Sequence, residues 1–425
     1  MGYYCTLYFD GWEVLSQKSI IPDQLCALFQ ESDRRLQKST DDDEDEDGDG
    51  LSVVYEASRE VILGRLSLVG CTEAVVKERF AAWLESERAD FESYMANGED
   101  WAAETMAVLR SFTLEEWNRR VPEVLATRNT RDEPIDELDG LMRSDSTWFW
   151  FEGYGSLMAI RALLDACPQV KTVTLDISGL IQGGWIDKDE AICDVRREAD
   201  MLRPRPLAPT VVLAEGSSDI RILQRSLTAL FPERQDYFSF FNHTELSVDG
   251  GAAYLVKFLK AFAAARASFR IVAIFDNDTV GQQAFLQAQA LHLPGNIVLL
   301  RLPDIEIARA YPTIGPQGSH QMDVNGKAAS IELYLGHAAL SMGDGLRPVR
   351  WTGYVPAARA YQGEIEGKME VESSFLNQVV FYADPAEARA AHPELVAVWT
   401  TIFAAVEASA SEIQRQSWPG PDTAF

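Results

Sequence analysis

The stretch VVLAEGSSDI, residues 211–220, determines how the rest of the chain is interpreted. Four apolar residues lead to Glu215, a glycine follows, and a second carboxylate, Asp219, comes four residues after the first. An apolar run between a proline and a glycine is typical of a buried strand, and the residues after it have helical spacing. The pattern predicts strand, turn and helix, with Glu215 at the end of the strand. A buried carboxylate is costly unless it is paired or bound to a metal ion.

The same alternation continues along the chain. The apolar runs RIVAIFD and NIVLLRLP are predicted as further strands, and the amphipathic segments SSDIRILQRSLTALF, VKFLKAFAAARA and TVGQQAFLQAQAL as helices. Alternating strands and helices predict a parallel sheet with right-handed crossovers. Polar groups collect at the carboxyl ends of such strands. Asp276 and Asp278 follow the second strand, so we expect them to face Glu215 and Asp219.

The first half of the chain has a different character. The segments PDQLCALFQESDRRL, TEAVVKERFAAWLESERADFESYM, LEEWNRRVPEVLA and SLMAIRALLDAC have helical spacing, whereas YYCTLYF, LSVVYEA and VKTVTLDI favour an edge hairpin or a small sheet. Three prolines in MLRPRPLAP end this region. We predict an α/β protein with a mainly α-helical N-terminal domain over 1–205, a parallel sheet flanked by helices over 206–340, and an extension over 341–425 that packs on the sheet domain.

The composition limits the class of protein. A hydrophobic content of 47% indicates a globular chain, and five scattered cysteines without CxxC spacing indicate reduced thiols. The sequence has no basic, apolar leader, and no apolar run approaches the roughly 18 residues needed to cross a bilayer. We therefore expect a cytoplasmic protein with no membrane partner.

The net charge of −27 requires any nucleic-acid site to be a local basic patch or to use bound metal ions. The acidic run TDDDEDEDGDG, residues 40–50, is interpreted as a solvated loop or as a mimic of nucleic-acid charge. Arginines in DVRREADMLRPRP and LRPVRW are interpreted as surface residues or as a phosphate track. They are Arg196, Arg197, Arg203, Arg205, Arg347 and Arg350.

The EG turn followed by a strand-terminal DND resembles the Toprim domain, which type IA topoisomerases, DnaG-type primases and OLD-family nucleases share. The OLD-like branch also has an acidic residue after this turn, a glycine pair before the second helix, and isoleucine–glutamate opening a later helix. The matching residues are Asp219, Gly250 with Gly251, and Ile331 with Glu332. The resemblance covers residues 208–340 and implies a Rossmann-like parallel sheet.

The resemblance also implies a two-metal site for Mg²⁺ or Mn²⁺. Its metal ligands would be Glu215, Asp219, Asp276, Asp278 and Glu332. The implied reaction is phosphodiester hydrolysis, since the chain has no room for a topoisomerase gate and no cysteine cluster for a primase zinc module. Glu215, Asp276 and Asp278 are its implied catalytic residues. OLD-type enzymes also use a lysine; the spacing does not decide between Lys368 and Lys327, and Lys368 is taken as the catalytic candidate.

An alternative interpretation gives the same side chains ordinary structural roles. Glu215 and Asp276 then simply end strands, Asp219 and Asp278 cap helices, and Glu332 lies in a first turn favoured by the helix dipole. A helix cap can still coordinate a metal, so the two interpretations of Asp278 are compatible.

The N-terminal sequence MGYYCTLYFDGWEVLSQKS resembles the helical domain fused ahead of Toprim in HEPN–Toprim proteins of bacterial conflict systems. HEPN ribonucleases depend on an arginine followed by a histidine, but all five histidines of this chain follow residue 240. The resemblance therefore implies a domain that mediates homo-oligomerisation or partner binding. Trp148 and Trp150 are interpreted as base-stacking residues or as part of a core or interface.

Together, these features predict a Mg²⁺- or Mn²⁺-dependent nuclease acting on DNA or RNA. The family resemblance alone implies that the protein is an effector of bacterial anti-phage defence and that an ATPase or another defence-system protein is its partner. The alternative is a non-catalytic regulatory or scaffold protein whose acidic surface binds a basic or ATPase partner.

Overall fold

The structure of the protein is a computed structural model that describes residues 3–38, 51–127, 133–143, 156–201, 208–241, 250–380 and 382–416. The chain divides into two compact units. The N-terminal unit is Met1–Arg203 with Ala410–Phe425, and the C-terminal unit is Pro204–Ser409. Several predicted features lie outside the described residues. They are the acidic run 40–50, Trp148, Trp150, Arg203, Arg205 and the boundary between residues 205 and 206.

The described part of the N-terminal unit contains a five-stranded antiparallel sheet. Its strands are β1 (Tyr4–Phe9), β2 (Trp12–Lys18), β3 (Arg34–Lys38), β4 (Leu51–Ser58) and β5 (Thr172–Asp176), in the order β2-β1-β5-β4-β3. The three segments that favoured a small sheet form β1, β4 and β5. The unit is thus mixed α/β: the small sheet is present, with five strands, and the description of the domain as mainly α-helical is not confirmed.

Helices form the rest of the regular structure in this unit. They are α1 (Asp23–Cys26), α2 (Arg59–Leu68), α3 (Glu73–Ala96), α4 (Ala102–Ser111), α5 (Leu114–Thr127), α6 (Glu137–Arg143), α7 (Ser156–Ala166), α8 (Ser178–Gln182) and α9 (Ile192–Met201). Three predicted helices correspond to α3, α5 and α7. The side chain of Thr72 accepts a hydrogen bond from Val75 N, as its predicted N-cap position requires.

The segment PDQLCALFQESDRRL is not the continuous helix that its apolar spacing predicted. After the single turn of α1, the chain forms the 3₁₀ turn Glu31–Asp33 and then β3. Asp33 pairs with the buried Arg65 at 2.6 Å, and Glu31 Oε1 accepts a 2.8 Å hydrogen bond from Cys193 N. These tertiary partners override the helical periodicity because a buried charge needs its partner in place.

The C-terminal unit is built on a four-stranded parallel sheet. The strands up to residue 301 are β6 (Thr210–Leu213), β7 (Phe238–Phe240), β8 (Ile271–Phe275), β9 (Asn277–Asp278) and β10 (Ile297–Arg301). The sheet has the order β10-β8-β6-β7, and all of its pairs are parallel. Every residue of β8 is buried, as expected of a parallel strand covered on both faces.

Helices cover both faces of this sheet. The helices of the unit are α10 (Ser217–Leu230), α11 (Ala252–Ala264), α12 (Thr279–Gln289), α13 (His337–Leu340), α14 (Lys368–Val379), α15 (Pro385–Ala391) and α16 (Pro393–Gln416), which ends in the N-terminal unit. On one face, α11 and α12 pack on Leu213 and Phe275. On the other face, Trp399 of α16 lies 5.5 Å from the ring of Phe238 and donates a 2.9 Å hydrogen bond to Ser226 Oγ of α10. The predicted parallel sheet flanked by helices is confirmed.

A second, mixed sheet follows the parallel one. The remaining strands are β11 (Tyr311–Gly315), β12 (Gly318–Met322), β13 (Ala328–Ala329), β14 (Ser341–Met342), β15 (Gly345–Leu346), β16 (Val349–Val355) and β17 (Ala360–Ile365). The second sheet has the order β12-β11-β16-β17. Strand β11 precedes the predicted domain limit at residue 340 and strand β16 follows it, yet the two strands pair in this sheet. The limits 206–340 and 341–425 stay predictions.

One helix among the described residues, Pro393–Arg415 within α16, has the length and composition of a membrane-spanning helix. Its side chains Leu395, Trp399 and Ile402 are almost completely buried in the C-terminal unit. These side chains pack one face of α16 against the C-terminal unit.

Candidate active site

The carboxyl ends of β6 and β8 bring Glu215 and Asp276 together. The two strands pair in parallel up to Leu213 and Ala273, so the residues that follow emerge at the same edge of the sheet. Glu215 Oε1 accepts a 3.0 Å hydrogen bond from Asp276 N. Both carboxylates are half-buried. Two residues 61 positions apart in the chain are thus neighbours, as the sequence predicted.

Asp219 and the glycine pair fix the turn that carries Glu215. Asp219 Oδ2 accepts a 2.7 Å hydrogen bond from Gly216 N, the residue before α10. Gly251 N donates a 2.5 Å hydrogen bond to Glu215 O, and a Cβ atom on Gly250 would lie 2.8 Å from that same oxygen. A larger residue at 250 would displace the Glu215 backbone.

Asp278 is the N-cap of α12. Its Oδ1 accepts a 2.7 Å hydrogen bond from Gly281 N, and its Oδ2 accepts a 2.6 Å hydrogen bond from Gln362 Nε2 of β17. Gln362 Oε1 in turn accepts a 3.1 Å hydrogen bond from Val280 N. The capping role considered for Asp278 is therefore present, and each carboxylate oxygen still has a second lone pair for another ligand.

Glu332 and Lys368 approach from the segments after the parallel sheet. Glu332 lies in Ile331–Tyr334, which is a short 3₁₀ turn where the resemblance implied the opening of a helix. Its Oε2 accepts a 2.5 Å hydrogen bond from Ser330 Oγ and lies 3.7 Å from Lys368 Nζ. Lys327 Nζ instead donates a 3.2 Å hydrogen bond to Asp323 O. Of the two candidate lysines, Lys368 is the one with its ammonium among the carboxylates.

Burial and mutual repulsion raise the pKa values of Glu215, Asp219 and Asp276. Burial, opposed by the Asp276 amide and reinforced by Asp278 and Asp219, raises the pKa of Glu215 to about 8. Burial and the charge of Glu332 raise the pKa of Asp219 to about 7. Burial, reinforced by the charges of Asp219 and Glu215, raises the pKa of Asp276 well above its ordinary value. We call these side chains the acidic cluster. Its members are Glu215, Asp219, Asp276, Asp278, Glu332 and Lys368.

Lys368 remains positively charged within the acidic cluster. Burial lowers the pKa of its ammonium group, but the surrounding carboxylates, above all Glu332 and Asp276, raise the pKa above its ordinary value. One cation among five carboxylates leaves the cluster with excess negative charge whenever most of the acids are ionised. Such an arrangement attracts cations.

We expect the metal-free protein to lose thermal stability between pH 5 and pH 8. The pKa values of Glu215 and Asp219 lie above their ordinary values of 4.5 and 3.8, so the folded chain retains protons that the unfolded chain has released. This contribution to the free energy of unfolding is complete below about pH 4 and is lost as the pH rises through 7 and 8. The melting temperature of the wild type, measured in chelator, should fall by about 5 °C relative to Glu215→Gln. Parallel pH profiles for the two proteins would contradict this prediction.

The chemistry of the acidic cluster fits hard divalent cations, although its side chains do not form a finished coordination shell. In the described ranges, no three His, Cys, Asp or Glu side chains are placed to hold a metal ion by themselves. The two carboxylate oxygens of Asp276, however, accept no hydrogen bond from any described residue. Mg²⁺ retains several waters and uses one or two carboxylates with substrate phosphates, so a partial set of ligands is sufficient.

Three residues that support the site were not singled out from the sequence. Gly281 is needed because a Cβ atom there would lie 2.5 Å from Asp276 O and 2.8 Å from Glu215 Oε1. Asn277 Nδ2 donates a 2.9 Å hydrogen bond to Asp304 Oδ1, and its Oδ1 accepts one of 3.0 Å from Gly326 N. A glycine three residues after an N-cap aspartate was a usable signal for Gly281. Gln362 lies 84 residues from its partner Asp278, and no local pattern indicates it.

Two of the arginines proposed for a phosphate track have carboxylate partners. Arg350 pairs with Glu366, and Arg197 lies 3.4 Å from Asp194. Arginines already neutralised by carboxylates are weak phosphate contacts. The phosphate-track interpretation gains no support from Arg197 or Arg350.

Comparison with known proteins assigns the first part of the chain. Residues 1–199 match the family HEPN/Toprim N-terminal domain 1. The predicted resemblance of the N-terminal region is thereby confirmed, and the matched residues lie within the N-terminal unit. No curated protein and no solved structure matches the chain.

Proposed function

We propose that the protein is a Mg²⁺- or Mn²⁺-dependent nuclease of the Toprim type that hydrolyses phosphodiester bonds of DNA or RNA. The observation that carries the proposal is the convergence of five carboxylates and one lysine from four separate segments. They meet at the carboxyl edge of a parallel sheet, where α/β enzymes bind their ligands. Strongly raised pKa values in a cluster of this kind are typical of functional sites.

The roles within the site follow from hydrogen bonding. We assign metal binding to the carboxylate oxygens of Asp276 and Glu215, assisted by Asp219 and Glu332, whose charges act on Asp276. A bound Mg²⁺ or Mn²⁺ would supply Lewis-acid polarisation of the phosphate and a more acidic water. Lys368 places its ammonium group where it can contact a phosphate oxygen and offset negative charge.

Asp278 contributes mainly by positioning. Both of its oxygens accept hydrogen bonds, one from the first turn of α12 and one from Gln362. These contacts hold the turn that presents Asp276. An asparagine at 278 can still cap α12, so this substitution should cost less activity than the same change at 276.

The biological role rests on the N-terminal match. The HEPN/Toprim N-terminal domain associates the chain with nuclease-linked proteins. We propose that the protein serves in bacterial anti-phage defence, that its N-terminal domain forms homo-oligomers, and that an ATPase or another defence-system protein is its partner. Cytoplasmic localisation is part of the same proposal.

The test is cleavage of plasmid DNA and of tRNA by the purified full chain with Mg²⁺, with Mn²⁺ and with chelator. The wild type should cut with metal only. Glu215→Gln keeps the size of the side chain, removes its charge, and should lose cleavage by about a hundredfold or more. Glu306→Gln is the matched control, because Glu306 lies in the same unit with its side chain 85% exposed. Equal cleavage by the wild type and Glu215→Gln overturns the proposal.

A second candidate is a non-catalytic protein that binds a basic partner. Phe91, Tyr94 and Trp101 form an aromatic group near the turn between α3 and α4, with ring centroids 5.4 to 5.9 Å apart. Tyr94 and Trp101 are exposed. Exposed carboxylates, including Glu92 and Glu99, surround the aromatic group. Aromatic residues inside a charged rim are common at protein interfaces. Failure to cut either nucleic acid with either metal favours this candidate.

A further inference from the structure

A groove of 510 Å³ runs between α10 and the edge strand β7. One wall is a single face of α10, since Ser217, Arg221, Gln224 and Thr228 are three or four residues apart. Phe238 and Phe240 of β7 contribute aromatic surface, and Gln235 adds a second side-chain amide. The volume lies within the range of roughly 300–1,000 Å³ that is usual for ligand sites.

The groove extends to the N-terminus of α10, next to the turn that carries Glu215. Ser217 is the first residue of α10 and lies two positions after Glu215. Arg221, one turn further along α10, pairs with Glu372 of α14 at 2.6 Å. Glu372 is one turn after Lys368 on α14, so the rim of the groove is tied to the helix that carries the lysine of the cluster. A chain bound at the cluster can therefore continue into the groove.

The lining suits a nucleobase better than it suits other ligands. The half-buried Phe240 offers an aromatic surface, and base–aromatic stacking tolerates any base. The amides of Gln224 and Gln235 each provide donors and an acceptor, which is what the edge of a base requires. Arg221, paired with Glu372, keeps 51% of its side chain exposed at the rim of the groove.

Two other occupants fit less well. In a duplex the Watson–Crick edges are paired and the base faces are stacked, so a duplex cannot offer a free base face to Phe240 or a Watson–Crick edge to the amides of the groove. An extended peptide would bind through the backbone of an edge strand, but β7 has only three residues. Short edge strands of this kind give few main-chain hydrogen bonds.

We propose that this groove binds unpaired nucleotides that flank the scissile phosphate, so that the substrate is a single strand or a duplex with a single-stranded end. The inference rests on the proposed nuclease function and adds a substrate class to it. Base contacts come from Phe240 and Gln224, and the strand enters past Ser217 and Arg221.

The experiment measures binding and cleavage separately. Fluorescence anisotropy with the full chain in Ca²⁺ gives the Kd for a short labelled single strand and for a blunt duplex of the same sequence. The wild type should prefer the single strand. Phe240→Leu keeps an apolar side chain of similar volume, and alanine in Gln224→Ala has a high helix propensity, so both variants should fold. The double variant should bind the single strand about tenfold more weakly than the wild type. Gln287→Ala on α12, an exposed glutamine outside the groove, should leave Kd unchanged.

Scanning one abasic position along the strand locates the contact. In the wild type, one or two positions beside the cleaved bond should lose affinity, and the double variant should lose this dependence. Equal single-strand affinities of wild type and double variant, tighter binding of the duplex, or no binding of either overturns the inference. Absence of metal-dependent cleavage overturns the proposed function instead, whatever the groove binds.

Discussion

Asp276→Asn is expected to abolish metal-dependent cleavage, by about a thousandfold or more, and to raise the melting temperature of the metal-free protein above pH 7. Asparagine is nearly isosteric with aspartate and carries no charge. The pKa of Asp276 is raised by burial and by Asp219 and Glu215, so its ionised form is disfavoured in the folded chain. Removing that charge should relieve repulsion among the remaining acids and remove a metal ligand at the same time.

Calorimetry at pH 8, with chelator and with Mg²⁺, separates the two effects. The wild type should gain thermal stability from Mg²⁺, because an ion that binds only the folded state shifts the unfolding equilibrium. Asp276→Asn should start from a higher melting temperature and gain little. Asp344→Asn, an exposed aspartate in the turn between β14 and β15, should behave like the wild type. Unchanged cleavage in Asp276→Asn, or a lower melting temperature in chelator, contradicts this prediction.

Gly281→Ala should reduce cleavage about a hundredfold, although alanine is the better helix former. The added methyl group would lie 2.5 Å from Asp276 O and 2.8 Å from Glu215 Oε1. Both contacts are shorter than atoms tolerate, and a shift of about 1 Å in catalytic groups commonly costs about two orders of magnitude in rate. The turn between β8 and α12 must therefore move away from Glu215.

The control for Gly281→Ala is Gly295→Ala, where a Cβ atom would meet nothing within 4 Å. Both variants should be assayed for cleavage rate, melting temperature and the Mg²⁺-induced change in melting temperature. The expected pattern is loss of cleavage and of the Mg²⁺ effect for Gly281→Ala alone. Wild-type cleavage by Gly281→Ala would mean that the turn relaxes without disturbing Glu215.

The strand ends of the parallel sheet could be predicted because their signals are local. Each buried strand is a short apolar run, and the polar residue that ends it, Glu215 or Asp276, marks the edge where ligands bind. The helices α10, α11 and α12 followed from apolar spacing, and the glycine pair followed from the resemblance. No long-range information was needed for the proximity of Glu215 to Asp276, since parallel neighbours place their carboxyl ends together.

What could not be predicted depends on contacts between distant segments. The spacing left Lys368 and Lys327 equal, and only the return of α14 to the sheet edge separates them. Gln362 carries no motif, yet it holds Asp278. In the N-terminal unit, the segment 22–36 has helical spacing but does not form one continuous helix, because Asp33 pairs with the buried Arg65. In each case a tertiary partner outweighs a local preference.

The position of Gln362 and Lys368 late in the chain has a consequence for synthesis on the ribosome. Domains fold as they emerge, and the parallel sheet with Glu215 and Asp276 is complete well before residue 362 leaves the exit tunnel. A nascent or truncated polypeptide that ends before this point lacks both the clamp on Asp278 and the ammonium group beside Glu332. The acidic cluster is therefore complete only after residue 368 has emerged from the ribosome.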